Sequence, residues 1–134
     1  MKGMNNMKSA VANRTRTVLV VEDEPAIANV CRRVLNNEGL GVDIAPNGKV
    51  AQRMIDKKQY DSLLIDIRIP EMSGKELYQW LKRKHPQLRE KIIFTTGDVI
   101  SGDAQAFIEK SGVPFLPKPF TPRELVTIIR KSIK

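Results

Sequence analysis

Five side chains in this 134-residue chain could act together as a reactive set: the adjacent acids Glu22 and Asp23, a third acid at Asp66, the hydroxyl of Thr96 and the ammonium of Lys118. Each stands at the end of a short apolar or β-branched run. Three carboxylates brought together repel one another, and a hard divalent cation with oxygen ligands relieves that repulsion. Magnesium suits such a set, because it keeps several waters and takes one or two carboxylates plus phosphate oxygens. A hydroxyl and an ammonium opposite the cation would complete a cradle for a transferred phosphoryl group. Any one of these acids alone reads as an ordinary surface carboxylate; the combination carries the chemistry.

The elements that must position them are legible in the periodicity. Thr17 to Val21, Gly41 to Ala45, Ser62 to Ile65, Lys91 to Thr95 and Val113 to Leu116 read as five strands. The unbroken apolar runs Val18-Leu19-Val20-Val21 and Leu63-Leu64-Ile65 fit strands buried on both faces, as in a parallel sheet covered by helices. Between them lie helical stripes such as Val50, Met54 and Ile55, or Leu125, Ile128, Ile129 and Ile133. Ser73 to Glu76 and Thr121 to Glu124 match the capping box, and Pro122 suits a first helical position. The expected fold is α/β: a doubly wound five-stranded parallel sheet in a flavodoxin-like three-layer (βα)5 sandwich, with right-handed crossovers. In such a fold, ligands bind beyond the carboxyl ends of the strands. All five reactive residues fall at that edge.

Composition narrows the function classes. The length and 41% apolar residues allow one core rather than two. No apolar run approaches the roughly 20 residues that span a bilayer, and Met1 to Arg16 has no continuous apolar stretch, so a cytoplasmic location and no membrane partner are expected. The single Cys31 shares a helical stripe with Ile27, Val30, Val34 and Leu35 and reads as core. The formal charge is +8, of which Lys2, Lys8, Arg14 and Arg16 contribute four from a segment without acids. Residues 1–16 are therefore expected as a flexible basic leader and 17–134 as the domain. The other basic residues spread along helices without interleaved aromatics, which argues against nucleic acid as a partner.

The order of motifs resembles the receiver domain of two-component response regulators. The resemblance runs from Val18-Leu19-Val20-Val21-Glu22-Asp23-Glu24-Pro25, through Leu64-Ile65-Asp66-Ile67-Arg68-Ile69-Pro70-Glu71-Met72-Ser73-Gly74, to Phe115-Leu116-Pro117-Lys118-Pro119-Phe120. It implies that Asp66 is the phosphate acceptor and that Glu22, Asp23, Asp66 and the Arg68 carbonyl hold magnesium, with manganese able to substitute. It also implies that Thr96 and Lys118 bind phosphoryl oxygens, that Thr96 and Phe115 form the switch, and that the bond before Pro119 is cis. Thr95 and Thr96 are adjacent, and the small Gly97 that follows favours Thr96 by the family's pattern. Glu22 replaces the commoner aspartate, and Arg68 stands two residues beyond the acceptor; both bear on rates rather than competence.

On this resemblance the chain is no enzyme beyond its own phosphorylation and dephosphorylation. An aspartyl-phosphate phosphatase would need an acid where Arg68 stands. Its partners would be a sensor histidine kinase or phosphotransfer protein, and a downstream protein that reads the fourth helix, fifth strand and fifth helix; a homodimer is allowed. The alternative is an interaction module of receiver fold that works without phosphate. The chain stops after the fifth helix, so no output domain is expected within it, and the wording of its second half is shared by receivers of hybrid kinases and by free-standing ones. His85, before Pro86 at the end of a basic helix, reads as a helix-terminus residue rather than a phosphohistidine. Arg68 and Asp98, each two residues beyond a reactive position, are expected to pair and tune access to the phosphoryl site.

Overall fold

A computed structural model describes residues 15–97 and 102–133. Strands β1 (Thr17–Val21), β2 (Gly41–Ala45), β3 (Ser62–Asp66), β4 (Ile92–Thr96) and β5 (Phe115–Pro117) alternate with helices α1 (Pro25–Asn37), α2 (Gly48–Lys57), α3 (Gly74–Lys84), α4 (Gly102–Ser111) and α5 (Pro122–Ile133). The sheet is parallel throughout, in the order β2-β1-β3-β4-β5. The expected flavodoxin-like sandwich is the fold found. Successive strand residues point to opposite faces, so each apolar strand feeds two cores. Leu19, Val21, Leu63, Ile65, Ile92 and Phe94 pack under α2, α3 and α4, while Val18, Val20, Leu64, Ile93 and Leu116 pack under α1 and α5. Cys31 lies in the second core, where burial pushes its thiol up to about 11.

The capping signals form as the sequence implies. At α3, Ser73 and Glu76 exchange side-chain-to-backbone bonds of 3.1 Å; at α5, Thr121 and Glu124 do so at 2.8 and 3.1 Å. Asn47 caps α2 through the Val50 N–H. The last three strands differ from the periodic reading by one or two residues: β3 runs on through Asp66, β4 is Ile92–Thr96 rather than 91–95, and β5 is Phe115–Pro117 rather than 113–116. A 3-10 helix, Pro86–Lys91, precedes β4, because Pro86 cannot continue α3 and the chain tightens into a shorter turn instead. Strand β5 begins two residues later than expected, since the Val113 N–H is taken by the Ser111 hydroxyl rather than by the sheet.

Two glycines let helices approach the β3–α3 loop closely. A Cβ on Gly74 would sit 2.7 Å from Ile67 Cα, and one on Gly48 would sit 2.6 Å from Met72 Cβ. Of the expected leader, residues 1–14 lie outside the described residues. Arg16 is joined to the folded body: its carbonyl accepts the Gly41 N–H, and its guanidinium meets Asp61 at 3.6 Å. Among the described residues no helix is long and apolar enough to cross a membrane.

Candidate functional site

Parallel register delivers the reactive residues to one level. Val21 pairs with Ile65, Asp66 with Thr95, and Thr96 with Pro117, so Glu22, Asp66, Thr96 and Lys118 all emerge at the carboxyl edge of the sheet. Glu22 and Asp66 are buried, at 3% and 5% exposure, whereas Asp23 is exposed. One carboxylate oxygen from each of the three lies within 4.8 Å of the others. Like charges this close, with two of them withdrawn from water, need opposite charge nearby.

Lys118 supplies part of it. Its ammonium donates to Glu22 Oε1 at 2.5 Å and to Asp66 Oδ2 at 2.7 Å. Burial alone would lower the lysine's pKa, but the two carboxylates outweigh burial and hold it above the ordinary value, so the ammonium stays charged. Burial pushes the Glu22 carboxyl up, and the bonds from Lys118 and from the Glu24 N–H offset only part of that rise. The second oxygen of each buried acid faces a backbone donor: Asp66 Oδ1 accepts from the Arg68 N–H at 2.9 Å, and Glu22 Oε2 from the Glu24 N–H at 3.2 Å. Three carboxylates against one ammonium leave the cluster net negative. Its donors are all oxygen, which fits a hard divalent cation such as magnesium.

The two threonines have different surroundings. Thr95 donates its hydroxyl to the Leu116 carbonyl at 2.5 Å, inside the sheet, so it does not serve a ligand. Thr96 is buried at the strand end, and its carbonyl accepts the Lys118 N–H. Phe115 is half-buried, opposite Phe94 in register, and packs against the core under α4. The Lys118–Pro119 bond is cis. Arg68 is exposed on the loop after β3, and Asp98 lies outside the described residues. His85 is remote from the cluster: its ring nitrogen meets Asp56 at 2.8 Å and its ring lies 5.1 Å from that of Trp80. Two features escape sequence reasoning, the direct Glu22–Lys118 pair and the engagement of the Thr95 hydroxyl. Neither leaves a signal in residue spacing, because both depend on side-chain reach between strands distant in the chain.

The chain as a whole is similar to known proteins. A family model described as the response regulator receiver domain matches residues 18–130. The DNA-binding transcriptional regulator NtrC of Escherichia coli (strain K12) is 34% identical over 116 residues, 87% of this chain and 24% of that protein. The sensor kinase CckA of Brucella abortus (strain 2308) is 30% identical over 129 residues, 95% of this chain and 13% of that protein. A solved CheY-like receiver domain protein from Methanospirillum hungatei JF-1 superposes with a TM-score of 0.80 at 28% identity, covering 89% of this chain and 94% of that one. The chain spans about half the length, or less, of the curated relatives it matches.

Proposed function

Because the chain belongs to the response regulator receiver domain family, we propose that it is a phosphoaccepting switch of a two-component phosphorelay, with Asp66 as the acceptor. One observation carries this reading: three acids within 4.8 Å of one another, two of them buried and both bonded to the ammonium of Lys118. A purely structural strand end has no use for that surplus of negative charge.

In the proposed reaction an Asp66 carboxylate oxygen attacks the phosphorus of a phosphohistidine on a sensor kinase or phosphotransfer protein. The new P–O bond forms as the P–N bond breaks, and the departing imidazole keeps the electron pair and takes up a proton. Glu22, Asp23, Asp66 and the Arg68 carbonyl would hold magnesium or manganese, which when bound neutralises charge on the transferring group. Lys118 supplies a fixed positive charge to the phosphoryl oxygens, and Thr96 a hydroxyl donor. The engagement of Thr95 with Leu116 supports Thr96 in that role.

The phosphoryl group shifts the resting equilibrium only if it binds one state better. Its hydrogen bond to Thr96 favours an inward Phe115, and the α4-β5-α5 surface presented to a downstream partner changes with it. Incubation with acetyl phosphate and magnesium, followed by intact-mass measurement, tests the chemistry: wild type gains one phosphoryl group and Asp66→Asn gains none. Labelling of both at the same rate would reject Asp66; labelling of neither would leave a phosphate-independent interaction module. Hydrogen exchange across α4 that is identical with and without beryllofluoride would sink the switch.

A further inference from the structure

Lys118 holds the same oxygens that a divalent cation would claim. Its side chain is only 10% exposed and touches both buried acids at once, while the remaining oxygen of each acid is engaged by a backbone N–H. Strand β1 is not a neighbour of β5: β3 and β4 lie between them. The carboxylate after β1 therefore reaches over the end of β3 to meet the lysine that follows β5. Glutamate has one methylene more than aspartate, about 1.5 Å of added reach.

We infer that Glu22 is a positioning residue that latches Lys118 across the acid cluster, so that the Glu22–Lys118 pair and a divalent cation exclude one another. This rests on the reading of the three acids as a cation site. Once a cation engages Glu22, the ammonium loses one of its two partners and, held by Asp66 alone, becomes available to an incoming phosphoryl oxygen. Cation loading thus precedes and prepares lysine release. Such coupling is reciprocal: whatever the latch costs the cation in affinity, the cation costs the latch.

Calorimetric titration of magnesium into the unphosphorylated protein tests this with four chains: wild type, Lys118→Met, Glu22→Asp and the double variant. Removing the ammonium from the wild-type background is expected to tighten magnesium binding by roughly five- to 150-fold. In the Glu22→Asp background the same change is expected to tighten it markedly less, because the latch is already undone. Equal tightening in both backgrounds would reduce Lys118 to a distant charge and overturn the role of Glu22. No tightening on Lys118→Met would overturn the exclusion itself. Failure of all four chains to bind magnesium would overturn the cation site and the latch together, whereas binding of equal strength in all four removes the latch and leaves the site standing. Lys118→Gln, which keeps a donor to the carboxylates and with it the fold, gives the same comparison should the methionine variant unfold before titration.

Discussion

The two ends of the sheet handle buried acids in opposite ways. At the amino ends of the strands, Asp61 is 7% exposed, accepts the Thr17 N–H at 2.8 Å and meets the Arg16 guanidinium at 3.6 Å. Nearby, Asp43 accepts from the Tyr60 hydroxyl at 2.8 Å and the Lys58 ammonium at 3.0 Å, and Asp56 pairs with His85. The buried Asp61 and the half-buried Asp43 each have a cation of their own, and the exposed Asp56 has the His85 ring. At the carboxyl ends, Glu22 and Asp66 share the ammonium of Lys118, and Asp23 stands beside them with no cation contact among the described residues. The balanced end is built to hold the chain together. The other end gathers three acids around one ammonium, so burial alone does not distinguish Asp61 from Asp66, whereas the company each keeps does.

That contrast can be broken most sharply at Asp66. Asp66→Asn removes all phosphoryl labelling yet keeps an oxygen for the Arg68 N–H, so its melting midpoint, followed by circular dichroism, should fall less than that of Asp61→Ala. Magnesium comes next. A cation that binds only the folded chain stabilises it by about 2.7 kcal/mol at a hundredfold excess over Kd. The increment should be equal in wild type and Asp61→Ala and smaller in Asp23→Asn; equal increments in all three would dissolve the distinction between the ends. Asp61→Ala itself leaves the Thr17 N–H short of an acceptor, at about 1 to 3 kcal/mol in denaturant melts, while the rate of labelling per folded molecule stays as in wild type.

Smaller effects sharpen the contrast. If Arg68 and Asp98 act as a screen over the phosphoryl site, Arg68→Ala and Asp98→Ala should change the acylphosphate lifetime several-fold in the same direction, with stability altered by under about 1 kcal/mol. The double variant should then be non-additive in the dephosphorylation rate; strict additivity would make them independent surface charges. The smallest effect lies at Asp43. Burial tends to raise its carboxyl, but the Tyr60 hydroxyl and Lys58 outweigh burial and hold it below the ordinary value of 3.8. A depressed folded pKa stabilises the fold above the unfolded value, and that contribution is lost as pH falls through the folded one. Tyr60→Phe should therefore cost about 0.5 to 1.5 kcal/mol near neutrality, and the gap from wild type should narrow below pH 3.8.

Much of this was open to sequence reasoning because the relevant signals are local. Runs such as Val18 to Val21 specify doubly buried strands, and both capping boxes specify helix starts, from residues within a few positions of each other. The acids were legible too, since a parallel sheet places every strand end on one edge. What stayed hidden depends on separation in the chain. The Glu22–Lys118 pair joins residues 96 apart. The distinction between Thr95 and Thr96 rests on which hydroxyl finds the Leu116 carbonyl. The importance of Asp61 was invisible, because an acid before a strand looks the same whether it faces solvent or closes the end of the neighbouring strand.

The close approaches at Gly74 and Gly48 have a mechanical consequence. The loop after β3, which carries Arg68 and leads away from Asp66, is gripped from two sides: by the start of α3 against Ile67 and by the start of α2 against Met72. In the language of machines this loop is a stator. A side chain added at either glycine would have to wedge the housing apart before it disturbed any reacting atom. On the proposed switch reading, displacement driven from Asp66 has little compliance to work on toward α2 and α3, and the movement falls on the far side of β4. On that side α4 packs through Phe107, whose ring meets Tyr78 at 5.6 Å edge-on and Phe94 at 5.7 Å tilted.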